Sequence, residues 1–202
     1  MKNIFSTDSK FYTIPAKIVD VLWLSILWIV CSIPIITIGA SSCAMFYVTL
    51  KMCRDEEGGV TKQFFKAFKA NFKQGTILWL IMLVVGIILG VNLVVCRQNE
   101  TTFGIVLFML TTVLILWYLM ELLYLFPVVA RFENTVKRQL VFAFLLATAH
   151  PFRTILMIAI FAGAVILIFF VPIGLAIAIA IYTYLTSLII LPIFEKGIKK
   201  EE

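Results

Sequence analysis

Ionisable side chains are scarce in this sequence. Asp, Glu, Lys and Arg together make up 14% of 202 residues, against about a quarter in a soluble domain. Histidine is nearly absent, and the single His150 excludes His-rich metal sites and the HExxH arrangement. The chain contains no GxSxG, no phosphate-cradling glycine loop and no DxD pair. Those absences exclude P-loop chemistry, including that of an ABC-type ATPase subunit. The cysteines Cys31, Cys43, Cys53 and Cys96 form no CxxC pair and lie in or beside apolar runs. They read as small apolar residues rather than as a disulfide framework or a zinc site. No cofactor is expected. Lys2, Lys10 and Lys17 flank no short apolar region followed by a small-residue cleavage site, so the first apolar run is expected to remain as an anchor.

Apolar side chains are what the sequence has in excess, at 62% of positions. A soluble core of this size has no room for them. They gather in runs of about 18 or more, the length at which a helix crosses a bilayer. Strand-like alternation over ten-residue stretches, the mark of a membrane barrel, does not appear. The expected fold is therefore all-α, a polytopic helical membrane protein of one domain over 1–202. About six inserted helices are expected, near 18–34, 40–53, 76–96, 103–126, 152–171 and 173–194. The first two are short and separated by a break at Pro34–Gly39. Proline removes a backbone donor there and disfavours helix in the residue before it.

Two shorter helices are expected outside the spans, at 61–73 and 135–149, with Thr61 and either Asn134 or Thr135 as caps. Residues 127–138 are expected to form a loop. On a helix over 61–73, Lys62, Lys66, Lys69 and Lys73 fall within roughly 60° of one another. Phe64, Phe65, Phe68 and Phe72 occupy an adjacent arc of about 100°. Lysines beside an aromatic face suit a helix at the membrane surface, contacting lipid headgroups, or one docked on a partner. The net charge of +6 resides in loops between apolar runs, so topology explains it before nucleic acid does. The basic stretches 51–73, 127–153 and the tail are expected in the cytoplasm, with the poor turns near 97–101 and 171–173 outside. Residues 18–53 are expected to cross twice or to form a re-entrant hairpin rather than to cross once, which puts both termini in the cytoplasm.

Candidate functional residues follow from the cost of polarity in lipid. Glu121 lies inside the 103–126 run, where a carboxylate would pair with Arg131 or a surface lysine, or serve transport. Pro34, Thr37 and Gly39 mark either a tight hairpin turn or a transporter-like broken helix. Arg131 and Glu133 would form a loop salt bridge or a docking surface. His150, before Pro151, is expected at a helix boundary.

An ordered set of short motifs resembles the YesL family, small bacterial membrane proteins classed as a domain of unknown function. The set comprises Pro34-Ile35-Ile36-Thr37-Ile38-Gly39, Tyr47-Val48-Thr49-Leu50-Lys51, Glu56-Glu57-Gly58, Phe64-Phe65-Lys66-Ala67-Phe68-Lys69-Ala70-Asn71-Phe72-Lys73-Gln74 and Arg131-Phe132-Glu133-Asn134. The resemblance covers about residues 10–195. The family's usual Gly-Pro is Gly39-Ala40 here. Members are often encoded beside ABC-type carbohydrate uptake systems, so the resemblance implies an accessory role in sugar import, with a permease as partner. An independent small-solute transporter or channel is the alternative. An enzyme acting on lipid or glycan is the least supported reading.

Overall fold

Inside lipid a backbone must satisfy its own hydrogen bonds, and this chain does so almost wholly as helix. The computed structural model describes residues 6–56, 58–98, 101–170 and 174–198. In chain order the elements are α1 (Ser6–Cys31), a 3-10 turn (Ile35–Thr37), α2 (Ile38–Cys53), α3 (Val60–Gln98), α4 (Thr102–Arg131), α5 (Val136–Ala149), α6 (Pro151–Phe170) and α7 (Gly174–Ile198). No strand occurs among the described residues. Five segments are long and apolar enough to cross a membrane: Ile35–Cys53, Val60–Gln98, Thr102–Arg131, Pro151–Ile168 and Gly174–Glu195. The protein is a polytopic all-α membrane protein. Helix α1 is not one of the five; its apolar stretch from Ile18 stops with the helix at Cys31, and it packs on α2 and α7.

The break at Pro34 is a hydrogen-bonded hairpin turn. Thr37 Oγ1 lies 2.6 Å from the Cys31 carbonyl at the end of α1 and 2.7 Å from that of Pro34, which also accepts from the Thr37 backbone N–H, so the hydroxyl donates into the turn where α1 ends. The Ser32 and Ser41 hydroxyls meet at 2.7 Å, and the Trp28 indole donates to Ser42 Oγ at 3.1 Å. At the far end, the Lys17 ammonium donates to the Asp55 carboxylate and approaches the Met52 carbonyl. These contacts make α1 and α2 an antiparallel pair whose open ends lie on one side. Asp55, just past α2, has φ 54°, a left-handed conformation that short polar side chains tolerate.

The hairpin is seated on α3 through small residues. A Cβ placed on Gly39 would collide with the Gly75 carbonyl oxygen and with Trp79 Cβ. One placed on Gly75 would sit 3.1 Å from Ala40 Cα and N. Gly39 keeps φ in the ordinary range, so close approach rather than backbone freedom requires it. Trp79 Nε1 then donates to the Ile35 carbonyl at 2.8 Å, tying the turn to α3.

The expected helices 61–73 and 76–96 are one helix of 39 residues. Nothing at 74–76 breaks the backbone, and Gly75 serves interhelical contact rather than a turn. Thr61 is not a cap, because α3 begins at Val60; its hydroxyl accepts from Trp23 Nε1 at 2.9 Å. Helix α4 also exceeds expectation, passing through Pro127 to Arg131. The proline lacks a donor, but it is buried among Phe126, Val128 and Val129, and neighbouring helices hold the segment. The loop expected over 127–138 shrinks to residues 132–135.

Helix α2 is the most enclosed element, with Gly39–Phe46 and Val48–Leu50 buried. Its Cys43, Phe46 and Leu50 join Leu123 and Phe126 of α4 and Ile190 and Phe194 of α7 in one core. Hydroxyls are paired across the helices. Thr49 meets Ser187 at 2.7 Å, Tyr124 meets Thr154 at 3.0 Å, and Tyr118 donates to the Met82 carbonyl at 2.9 Å. His150 terminates α5, and Pro151 opens α6 at the position where a missing donor costs nothing. Of the turn expected at 97–101, Arg97 and Gln98 are instead the end of α3, and residues 99–100, like the expected turn at 171–173, lie outside the described residues.

Two outcomes follow. Gly39→Ala should destabilise the protein by about 1–3 kcal/mol through overpacking, whereas Gly90→Ala, where an added Cβ meets nothing within 4 Å, should leave it unchanged or slightly stabilised. Thermal unfolding of the purified variants in detergent checks this. The Lys17–Asp55 pair gives the second. The donated hydrogen bond and the positive charge of Lys17 hold the Asp55 carboxyl below its ordinary value, and the same bond raises Lys17. The carboxylate's contribution is present above the ordinary Asp range and is lost as pH falls through the lowered folded value. The lysine's contribution is complete below its ordinary value and is lost as pH rises through the raised one. Asp55→Asn should therefore lower the unfolding temperature slightly at pH 7 and flatten its acid limb.

Candidate functional site

Polar groups that the helices do not use among themselves collect at one end of the structure. Three elements converge there: the first half of α3, the last turn of α4 and the first turn of α5. The Gln74 amide donates to the Asn134 carbonyl, joining α3 to the α4–α5 loop. Gln139, fully buried, donates Nε2 to the Phe132 carbonyl at 3.0 Å and fixes that loop from the other side. Between them lies a cleft of about 830 Å³, lined by Lys66 and Gln74 of α3, Arg131 of α4, Glu133 of the loop, Arg138 of α5 and Tyr47 of α2, among others.

The electrostatics of the cleft are one-sided. Lys66, Arg131 and Arg138 face it, with Glu133 as the one carboxylate among its described lining. The ion pairs among the described residues are Lys17–Asp55, Lys51–Glu56 and Arg54–Glu56, so none of the three cleft cations has an acidic partner. The expected Arg131–Glu133 bridge is not formed. Thr135 is the N-cap of α5 but its side chain makes no capping bond, and the first turn carries Lys137 and Arg138 with no acid. Cations at the positive end of a helix dipole are unfavourable unless an anion compensates them.

The sequence candidates divide between this cleft and other places. Lys66, Arg131 and Glu133 are brought together in it. Lys62, Lys69 and Lys73 are exposed along the same half of α3. Phe65 and Phe72 are exposed beside them, while half-buried Phe68 stacks on Phe64 at 6.2 Å and meets Phe72 edge-on at 5.5 Å. Pro34, Thr37 and Gly39 belong to the hairpin turn instead. Glu121 is half-buried in α4 and has no hydrogen bond or ion pair with Arg131 or any other described residue. A separate, largely apolar cavity of about 290 Å³ lies among the helices, with Trp28, Trp79, Phe126, Phe161 and Tyr182 in its walls.

Sequence reasoning missed Arg138, Tyr47 and Gln74 as partners in the cleft. The signal available for Arg138 was the acid-free first turn of α5, which is anomalous for a helix start.

Comparison with known proteins finds similarity to proteins of unknown function. A family described as "Protein of unknown function, DUF624" matches residues 21–93, which covers the second half of α1, all of α2 and most of α3. The "Uncharacterized protein YesL" of Bacillus subtilis (strain 168) is 26% identical over 152 residues, covering 73% of this chain and 71% of that protein. No solved structure matches the chain. The matched region runs from the second half of α1 through α2 into the helix that carries the hairpin, and over it the chain resembles this family of unknown function and is YesL-like.

Proposed function

We propose that the chain is an accessory membrane protein that works through its cationic end, and that this end faces the cytoplasm. One observation carries the reading. Lys62, Lys66, Lys69, Lys73, Arg131, Lys137 and Arg138 cluster where α3, α4 and α5 meet, and none is in an ion pair with a described residue. Arg97, at the other end of α3, is the contrasting cation. Cations left unpaired by the fold are available to something outside it. The positive-inside tendency orients such an end toward the cytoplasm. Because Lys17 contacts Asp55, the described start of the hairpin lies on that side too, which supports a cytoplasmic N-terminus. The partner we assign is the permease of a carbohydrate ABC-type uptake system, a choice that rests on the family resemblance.

Affinity purification from native membranes tests this. The wild-type chain should enrich a carbohydrate permease. Replacing Lys62, Lys66, Lys69 and Lys73 with Gln should abolish the enrichment, while Arg97→Gln should not. No permease in the eluate, or unchanged sugar uptake in a deletion strain under inducing conditions, would overturn the reading.

A second reading, an independent small-solute transporter, is favoured by Glu121. An ionisable group that is half-buried in a span without a partner is costly and so marks function. Proteoliposomes carrying the wild-type chain should then show solute flux that Glu121→Gln abolishes. Absence of flux for every sugar and ion tested removes this reading.

A further inference from the structure

We propose that the cleft between α3, α4 and the start of α5 is a binding site for a small phosphate-bearing anion. The inference rests on the cationic end being a working face, but it requires no protein partner. Three features of the cleft point the same way. Its volume, about 830 Å³, is in the range of small-molecule sites. Its lining offers two guanidinium groups and an ammonium, Arg131, Arg138 and Lys66, against the single carboxylate of Glu133. Guanidinium forks match the geometry of phosphate oxygens, and none of the three cations is in an ion pair with an acid among the described residues.

The backbone adds to this. Helix α5 is 14 residues long, and its N-terminus opens beside Arg138 with no side-chain cap and no acid in its first turn. An anion there would meet unused backbone donors as well as side-chain charge. Glu133, exposed on the loop, sets a limit on the ligand. Its negative charge disfavours a bulky polyanion more than a single phosphate group, around which the three cations outnumber it.

The phosphate can come from two sources. Arg131 closes a helix long and apolar enough to cross a membrane, so a phospholipid with its phosphate in the cleft is one. A soluble phosphate ester entering from the aqueous side is the other. The recognition chemistry is shared, and the lipid tail or its absence separates them.

Calorimetric titration of the full chain in a neutral detergent, with no partner present, tests the site. The probes are dihexanoyl phosphatidic acid and glycerol 3-phosphate. At least one should bind saturably, and Arg131→Gln/Arg138→Gln should weaken that binding about tenfold or more. Arg97→Gln should leave it unchanged. Preference for phosphatidic acid assigns the lipid source, preference for glycerol 3-phosphate the soluble one, and equal affinity assigns recognition to the phosphate group itself. Lys66→Gln, exposed on α3, supplies the same readout if the double variant does not fold. The proposal is overturned if neither probe binds the wild-type chain, if the cleft variants bind as well as wild type, or if Arg97→Gln weakens binding equally. A permease pull-down that fails while these titrations succeed would reject the accessory reading and leave the site standing.

Discussion

The rest of the structure depends on the backbone contact between α2 and α3. In lipid, two apolar helices gain nothing by hiding from water, because the tails are as apolar as the side chains. What holds them is close packing, and that requires small residues where they touch. Gly39 and Ala40 of α2 and Gly75 of α3 provide such a contact, with Trp79 closing over the turn and bonding to the Ile35 carbonyl. With α2 in place, its buried surface organises the neighbours, so that α1, α3, α4 and α7 all pack on it. A larger side chain at 39 would have to separate α2 from α3, and every helix that reads its position from α2 would be displaced with it.

The central helix is also a short one. Its 16 residues measure about 24 Å by helix geometry, less than the ~30 Å hydrocarbon core. Its turn meets α3 at Gly75–Trp79, and α3 continues to Gln98 for about 28 Å beyond that point. The α1–α2 hairpin therefore ends beside the middle of α3, and the α3–α4 pair extends past it. The two halves of α3 consequently have different surroundings. Val60, Phe64 and Ala67 are buried against the hairpin, while Ile87, Ile88, Val91 and Val94 are exposed as lipid-facing residues would be. One helix joins a basic, packed half to an apolar, lipid-facing half without a break.

That continuity explains what the sequence disclosed and what it hid. The apolar runs, the Pro34 break and the His150-Pro151 boundary were legible because each rests on a local rule: length, a missing donor, a fixed φ. The junction at 73–76 was not legible, since the change from Lys/Phe to Ile/Leu looks like a boundary although nothing in the backbone requires one. Pro127 misled in the opposite direction. It is a breaker by local rule, but burial among α4's neighbours keeps it helical. In the site, Lys66, Arg131 and Glu133 could be singled out by type; Arg138 follows them closely in sequence but reads there only as a loop charge, and Tyr47 comes from α2 and joins them only through packing. The Arg131–Glu133 bridge failed as an expectation because nearness in sequence at a helix end does not aim two side chains at each other.

The distribution of charge then gains a physical meaning that a count alone lacks. Where this fold needs an ion pair it makes one, clasping the hairpin with Lys17 and Asp55 and bracing the α2–α3 loop with Lys51, Arg54 and Glu56. Asp55 and Glu56 are spent on that geometry. The cations of α3, α4 and α5 are left without them, and like charges gathered around a cleft repel one another. Folding alone offers no return for that repulsion, because apolar or neutral residues would pack there at less cost. The excess is better understood as complementary to something outside the chain, and the cleft gives that complement a definite place and a sign.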